Sequence, residues 1–311
     1  MGHTHRIAER IERDLDMPGM VDALGSLIGG ADLSSLLMEI ARSRAASVEP
    51  STVLDRHEQD RFARPSPIGL GAIRRVEDVL LSSMPEHFDL ITVSPLVPFA
   101  AHHALGGVPQ NNVVSTIRST EVAADPTVGL ALEAAARRRR ILSVDPRSPE
   151  QVRLATSQRV TRAQSFEEPR SFAHFSLVGL VSAGRDTGSL EFEKQSVSEH
   201  IAAAAAGVLR AGASRVQVAL TDFSGTMDAV LAHVTESLAD HDAVSVGVDP
   251  RRTHARGYYP SVCFKLHARL GGDLHEYGDG GLVDWGTALL GNQKERMMIS
   301  GVSVDRLALD Q

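Results

Sequence analysis

The 311-residue sequence is poor in the features that mark several large protein classes. It has one cysteine, Cys263, so it has no intrachain disulfide framework, and we expect a buried structural thiol. No apolar run reaches the roughly 18 residues needed to span a bilayer. The charged start, MGHTHRIAERIERD, lacks the apolar stretch of a signal peptide. We therefore expect a cytoplasmic protein without a membrane partner.

Common nucleotide, metal and nucleic-acid signatures are also missing. The sequence contains neither GxxxxGK[ST] nor a strand-linked GxGxxG, which argues against P-loop and Rossmann nucleotide binding. The 13 histidines show no H-E-x-x-H and no paired Cys/His spacing, so no metal site is predicted. A net charge of -7 argues against a general nucleic-acid surface. The four consecutive arginines at 137–140 are expected at a helix end, in surface ion pairs.

The sequence divides into two regions of different character. ADLSSLLMEIARSRAAS and VLDRHEQDRFA have helical patterns, and Pro65-Ser66-Pro67 ends the second. We predict a helical N-terminal extension at 1–67, followed by one domain at 68–311. The extension either braces the domain, which we favour, or docks a partner.

The second region mixes helical and strand patterns. We predict helices at 71–84, 127–140, 192–212 and 225–238. We predict strands at 88–94, 112–118, 152–161, 172–182, 216–224, 242–248, 260–268 and 296–303. A polar loop, SFEEPR, joins the strands 152–161 and 172–182. Such hairpin-linked strands with grouped helices predict an α+β fold, a mostly antiparallel sheet flanked by helices.

Several segments follow one another in an order that one family shows. They are FDLITVSPLVPF (88–99), QVRLATSQRVTR (151–162), SFAHFSLVGLVSAG (171–184), ARGYYPSVCFKLHA (255–268) and GDGGLVDWGTALLGN (278–292) running into ERMMISGVSVDRLAL (295–309). In order, these resemble motif 1, the two motif 2 strands, the amino-acid pocket segment and the Gly-Gly element with motif 3 of class II aminoacyl-tRNA synthetases. The resemblance is to the branch of histidyl-tRNA synthetase and the ATP phosphoribosyltransferase regulatory subunit, and covers about residues 70–311.

The resemblance implies an ATP site with Mg2+ as a second cofactor. Arg159 matches the motif 2 arginine that holds the α-phosphate, and Arg306 matches the motif 3 arginine that contacts the terminal phosphate. Both would be catalytic, because fixed cations stabilise charge that develops on phosphate. Arg162, Phe175, whose ring would stack on adenine, and Gly301 would complete the ATP site.

The resemblance also implies a substrate pocket. An acidic residue, either Glu121 or Asp125, would receive a substrate ammonium. The other pocket residues would be Arg256, Tyr258, Tyr259, Gly280 and Gly281.

Several positions depart from the family pattern. Thr161 stands where motif 2 has a glutamate, Ser176-Leu177 where it has His-Gln, and Leu282 where the Gly-Gly element has an arginine. His254, rather than Arg256, takes the arginine position of the pocket segment. A pocket that loses buried polar partners rejects its original ligand, so we expect a smaller or less polar amino acid than histidine.

Three functions are compatible with these observations. The arginines at 159 and 306 favour ATP-dependent activation of an amino acid or related carboxylate as an acyl-adenylate, passed to a small molecule, carrier protein or peptide. The changes at 161 and 282 favour the alternative, a non-catalytic regulatory subunit similar to that of ATP phosphoribosyltransferase. The third is a structural partner that docks through its N-terminal helices. The sequence ends without the branch's anticodon-binding domain, so we do not expect transfer RNA as a partner, and the resemblance to motif 1 implies a homodimer.

Overall fold

A computed structural model describes residues 2–165, 170–239 and 241–311. The chain divides into two compact units, one formed by Met1–Arg64 with Ser115–Thr120 and the other by Pro65–Val114 with Glu121–Gln311. The division into domains at residue 67 stays a prediction.

The first unit is helical. Its helices are α1 (Gly2–Asp14), α2 (Met20–Asp22), α3 (Gly30–Ala45) and α4 (Pro50–Gln59), and a π-helical turn, Ala23–Leu27, follows α2. Pro50 begins α4, where its fixed φ suits the first helical turn. No residue described in this stretch is fully buried, and the apolar side chains of α3 are partly exposed, with Leu36 at 40% and Ile40 at 46%.

The second unit contains the remaining elements. Its helices are α5 (Leu70–Leu81), α6 (Ala101–Gly106), α7 (Pro126–Val144), α8 (Glu191–Arg210), α9 (Asp228–Ser237), α10 (Trp285–Leu290) and α11 (Val304–Leu309). The strands of the chain are β1 (Asp89–Leu90), β2 (Leu96–Pro98), β3 (Thr120–Val122), β4 (Val152–Thr161), β5 (His174–Arg185), β6 (Val216–Asp222), β7 (Val244–Val248), β8 (Val262–Arg269), β9 (Leu274–Val283) and β10 (Glu295–Ser303). None of the described helices is both long and apolar enough to cross a membrane.

One eight-stranded sheet organises this unit. Its strand order is β1-β4-β5-β10-β9-β8-β6-β7, and β2 pairs with β3 separately. Only the outer pairs β1–β4 and β6–β7 are parallel, and the inner pairs are antiparallel. Helix α7 packs on one face, where Leu130 and Leu154 share a core, and α5 and α8 pack on the other, where Val76 and Ala155 share a second core. The predicted α+β fold with a mostly antiparallel sheet is confirmed.

Two predicted strands were wrong, and one long strand was missed. The predicted strand 88–94 is a strand only at Asp89–Leu90, and the segment 112–118 is irregular, following a 3-10 turn at Gln110–Asn112. Strand β9 was not predicted, because its glycines interrupt the apolar alternation. The predicted loop SFEEPR lies mostly outside the described residues, since 166–169 are not among them.

The arginine run on α7 is divided between surface and core. Arg137 forms surface pairs with Glu133 and Asp89, as predicted. Arg138, in contrast, is completely buried and makes two 2.9 Å hydrogen bonds to the carboxylate of Glu295. The surface prediction was therefore wrong for Arg138, because it lies on the helix side that faces the sheet.

Helix α8 carries a completely buried histidine, His200. Its Nε2 lies 2.9 Å from Ser182 Oγ and its Nδ1 lies 2.8 Å from Ser300 Oγ. Burial, with a smaller contribution from Arg153, lowers the pKa of His200 to about 3. Because an unfolded histidine has a pKa of about 6.5, the unfolded state binds more protons between pH 6.5 and 3. The stability from neutral His200 is therefore complete above pH 6.5 and is lost as the pH falls towards 3.

We expect this histidine to steepen acid destabilisation. Well below pH 6.5, one extra proton bound on unfolding lowers the free energy of unfolding by about 1.4 kcal/mol per pH unit. Urea unfolding of the wild type and His200→Gln between pH 7 and 4.5 should show this difference in slope. His87→Gln, at a half-exposed site, should retain the wild-type slope. Equal slopes for all three proteins would contradict the assignment to His200.

Candidate functional site

The face of the sheet that packs against α7 carries a cavity of about 260 Å³. It lies among β5, β8, β9, β10, the start of α7 and the segment 254–259. The side chains with polar or aromatic character that line it are Asp125, Thr127, Arg162, Arg170, Ser171, Phe172, Phe175, His254, Tyr258, Tyr259, Lys265, Glu276, Tyr277, Asp279, Ser300, Ser303, Asp305 and Arg306.

The cavity brings together many of the residues predicted from the sequence. Those that line it are Asp125, Arg162, Phe175, Tyr258, Tyr259, Gly301 and Arg306. Those that do not line it are Glu121, Arg159, Arg256, Gly280 and Gly281. Residues from the two predicted sites, for ATP and for the substrate, thus share one cavity.

Arg159 lies on the other face of the sheet. The antiparallel register pairs Arg159 with Ser176 and Val160 with Phe175. Paired residues share a face and successive residues alternate, so Arg159 and Phe175 point to opposite faces. The side chain of Arg159 instead donates from Nε to His174 Nδ1 at 2.9 Å. The side chain that the motif 2 resemblance assigns to the ATP site therefore lies on the face of the sheet opposite the cavity.

The side chain of Arg162, unlike that of Arg159, reaches the cavity. Its guanidinium carbon lies 5.0 Å from the centre of the Phe175 ring, and it donates to Ala124 O at 2.9 Å and to Asp125 Oδ2 at 3.2 Å. Asp125 also caps α7, because its Oδ1 accepts from the backbone nitrogen of Thr127 at 2.9 Å. The ion pair therefore holds both charges at the rim of the cavity, next to the helix N-terminus.

Of the two candidate acids for an ammonium, only Asp125 lines the cavity. Glu121 is completely buried and accepts from Ala100 N, His102 N and Gln110 Nε2, each at 3.0 Å. Burial opposes ionisation of Glu121, but hydrogen bonds from Gln110 and His102 outweigh it and lower its pKa. Its acceptor capacity is used to hold the loops around it, so Glu121 is structural.

The tyrosines form an aromatic wall. The rings of Tyr258 and Tyr259 meet edge to face with centres 4.9 Å apart, and Tyr258 meets Trp285 similarly at 5.8 Å. Burial is the main cause that raises the pKa of both tyrosines, so each is a neutral hydroxyl at neutral pH.

The arginine of the same segment is displaced from this wall. The guanidinium carbon of Arg256 lies 4.8 Å from the centre of the Phe223 ring, and Arg256 does not line the cavity. His254 does line it, at the position where the resemblance expects an arginine.

The paired glycines serve packing. A Cβ on Gly280 would lie 2.5 Å from Ser300 Cβ and 2.7 Å from the Phe264 ring. A Cβ on Gly281 would lie 2.5 Å from the Tyr259 ring. The glycines therefore let the strands and the Tyr259 ring approach one another, rather than opening backbone to a ligand.

Sequence analysis missed the charged residues of β8 and β9. Asp279 faces the cavity and accepts from the Tyr259 hydroxyl at 3.2 Å, while Lys265 Nζ and Glu276 Oε2 are 2.5 Å apart. Burial, followed by the charges of Glu276 and Asp125, raises the pKa of Asp279. Recognition of β9 as a strand would have placed Asp279 on the face of Gly281 and found it.

The cavity thus presents both signs of charge. The carboxylates are those of Asp125, Glu276, Asp279 and Asp305, and the cations are those of Arg162, Arg170, Lys265 and Arg306. Such a surface suits a small molecule that has an ammonium and a carboxylate. Within the ranges that the structure describes, no group of three or more His, Cys, Asp or Glu residues is placed to hold a metal ion.

No family model matches the sequence, and no curated protein matches it. The structure is similar to an ATP phosphoribosyltransferase regulatory subunit/histidyl-tRNA synthetase from Bacillus halodurans C, with a TM-score of 0.57, 17% identity and coverage of 80% of this chain and 83% of that one. For apo S. aureus histidyl-tRNA synthetase the TM-score is 0.58 and the identity 13%, with coverage of 79% of this chain and 72% of that one. For a histidine–tRNA ligase subunit from Alicyclobacillus acidocaldarius the TM-score is 0.55 and the identity 14%, with coverage of 79% of this chain and 94% of that one. The fold is that of the class II aminoacyl-tRNA synthetase core, as the resemblance predicted.

Proposed function

We propose that this class II synthetase-like chain binds an amino acid, or a closely related amine-bearing carboxylate, and acts as a non-catalytic ligand-binding subunit. The main support for this proposal is that carboxylates, tyrosines and arginines line one cavity, whereas the side chain of Arg159 lies on the opposite face of the sheet. The structural neighbour from Bacillus halodurans is named as a regulatory subunit as well as a synthetase, so a protein with this fold has been assigned such a role.

The two ends of an amino acid have matching groups in the cavity. Its ammonium would lie against Asp125, beside the ring of Tyr258, where charge and the aromatic face both attract a cation. Its carboxylate would accept from Arg306, whose Nη1 is oriented by a hydrogen bond to Glu276 O at 3.2 Å. Each contact is charge-assisted in a partly enclosed site, where such bonds are strong.

The β4 strand supports a non-catalytic role. Its residues on the face of Phe175 at the cavity end are Gln158 and Val160, and neither is cationic. Acyl-adenylate formation places negative charge on the α-phosphate, which needs a fixed cation nearby. Arg162 is the nearest cation beyond the end of the strand, and its hydrogen bond to Ala124 O at 2.9 Å and its contact with Asp125 hold its guanidinium group beside the start of α7.

ATP-dependent adenylation is the second candidate. It is favoured by Phe175, Arg162 and Arg306, which line one cavity and could take an adenine ring and phosphates. Magnesium is commonly held by one or two carboxylates together with substrate phosphates. Glu276 and Asp279 are the carboxylates of the cavity that could contribute, and the ion would neutralise phosphate charge when bound.

Calorimetric titration with a panel of amino acids, with and without ATP, tests the proposal. We expect an amino acid to bind without ATP, and we expect no amino-acid-dependent exchange of pyrophosphate into ATP. Exchange would support adenylation instead. If no amino acid binds under either condition, the cavity is not an amino-acid site.

Two arginine variants distinguish the cavity from the opposite face. Arg306→Ala should weaken amino-acid binding about ten- to hundredfold, because a charge-assisted contact contributes roughly 1.5–3 kcal/mol. Arg159→Ala should change the affinity much less, because its side chain lies outside the cavity and its contact with the cavity residue Asp305 is long, at 3.7 Å. Equal losses of amino-acid affinity in both variants would show that Arg159 contributes to the binding site. That result would favour the ATP-binding role that the sequence suggested.

The proposed subunit is expected to work with other chains. The motif 1 resemblance predicts a homodimer through 88–95 with the helix at 71–84, and a regulatory role requires a partner enzyme. A carrier protein or peptide belongs to the adenylation candidate. Transfer RNA remains an unexpected partner. All of these stay predictions.

A further inference from the structure

Asp279 differs from the carboxylates that surround it. Asp125 is paired with Arg162 at 3.2 Å, and Glu276 is paired with Lys265 at 2.5 Å. Within 2–165, 170–239 and 241–311, the structure places no cationic side chain in an ion pair with Asp279. Asp279 therefore contributes a carboxylate to the cavity without a countercharge in contact.

The surroundings of Asp279 keep it in this position. It lies in the middle of β9, directly between Lys265 on β8 and Gly301 on β10, so its backbone is held on both sides. Lys265 shares its face but reaches to Glu276. The hydroxyl of Tyr259 is the hydrogen-bond donor to its carboxylate. Strand pairing and the tyrosine thus fix the direction of the carboxylate.

The space next to Asp279 is open. A Cβ built on Gly301, the residue directly across from it, has Val178 O at 4.0 Å as its nearest neighbour. A ligand group can therefore reach the carboxylate over Gly301 without displacing a side chain.

We propose that Asp279 binds a cationic group on the side chain of the ligand, so that the ligand is a basic amino acid with a second ammonium or a guanidinium. This inference rests on the proposed function, since it assumes that an amino acid occupies the cavity. It replaces the expectation of a small or less polar ligand, which was made without Asp279 in the pocket. A carboxylate among aromatic rings attracts a cation through both charge and the ring faces.

Electrostatics support this choice. Burial and two neighbouring carboxylates raise the pKa of Asp279, and the charge of Arg252 and the hydrogen bond from Tyr259 offset this only in part, so its charged form is disfavoured in the free protein. A bound cation would place a countercharge in direct contact with the carboxylate, whereas a neutral side chain leaves the carboxylate in an unfavourable environment. The site should therefore discriminate between basic and neutral side chains of equal size.

Matched pairs of ligands test the inference by calorimetry. Lysine is compared with norleucine, and arginine with citrulline, because each pair differs mainly in charge. We expect the preferred basic amino acid to bind at least about tenfold more tightly than its neutral partner, as for loss of a charge-assisted contact. Asp279→Asn should remove this preference and retain the affinity for the neutral partner.

A matched control is Asp273→Asn, the same substitution at an exposed position before β9, which should retain the wild-type preference. Thermal unfolding checks that Asp279→Asn folds. If norleucine and citrulline bind the wild type as tightly as lysine and arginine, or if Asp279→Asn keeps the preference, this inference is wrong and the proposed function stands. If no amino acid binds the wild type, both are wrong.

Discussion

Replacement of Arg138 by alanine is expected to lower the free energy of unfolding by about 3–5 kcal/mol, because it removes both hydrogen bonds to the buried Glu295 carboxylate and leaves it with the more distant Arg185, 4.0 Å away. The Arg138 side chain is completely buried and Glu295 is almost so. The arginine donates two hydrogen bonds to Glu295 and others to the carbonyl oxygens of Ser148 and Glu150. It therefore joins α7, the segment before β4 and the start of β10, beneath the elements that carry the cavity.

Urea unfolding of this variant has a control on the same helix. Arg137→Ala removes a surface arginine, so it should change stability by at most about 1 kcal/mol. The double variant Arg138→Leu/Glu295→Leu should recover much of the loss, because a buried pair can be replaced by apolar residues more easily than broken. Similar losses for Arg137→Ala and Arg138→Ala would show that burial of the pair has no special effect.

The second large effect is expected on binding. Gly301→Val should reduce amino-acid affinity by roughly a hundredfold or more, since even one methylene group changes pocket selectivity about 10- to 200-fold. The added side chain would occupy the open space opposite Asp279. Stability should change little, because the nearest atom to the new Cβ is 4.0 Å away and valine suits a strand.

Gly280→Val provides the contrast to Gly301→Val. Its side chain would collide with Ser300 and Phe264 on the other face of the sheet, so it should lower stability instead of blocking the cavity. Calorimetry and thermal unfolding of the two variants separate the effects. Unchanged amino-acid binding by a folded Gly301→Val protein would show that the ligand does not occupy this cavity.

The fold by itself leaves the activity open. Its structural neighbours include histidyl-tRNA synthetases and a chain named for both a synthetase and a regulatory subunit. One fold commonly supports several functions, so the function has to be inferred from the residues of the cavity. Here the direction of Arg159 and the position of the Asp279 carboxylate in the cavity carry more information than the overall similarity.

The sequence alone determined most of the architecture. Long periodic segments such as α8, β4 and β10 were predicted close to their observed positions, because a hydrophobic stripe or alternation over about ten residues or more is a strong local signal. The order of the motif-like segments was enough to predict the class II synthetase-like core. Tyr258, Tyr259, Phe175 and Arg306 were also identified as cavity residues before the structure placed them there.

Only the tertiary structure decided which side chains face the cavity. The alternation of β4 places Arg159 on the more polar face, with Arg153 and Ser157, but local sequence does not show which face of the strand carries the cavity. A shift of one residue in a motif match reverses every side chain, so the match to motif 2 pointed Arg159 to the wrong face. Strand β9 was not predicted because glycines interrupt its apolar pattern. These glycines are needed for close packing against Tyr259, Ser300 and Phe264, which the sequence does not show. Asp279 therefore joined the site only when β8 and β10 paired with β9, because such pairing brings together residues that are distant in sequence and is invisible to local patterns.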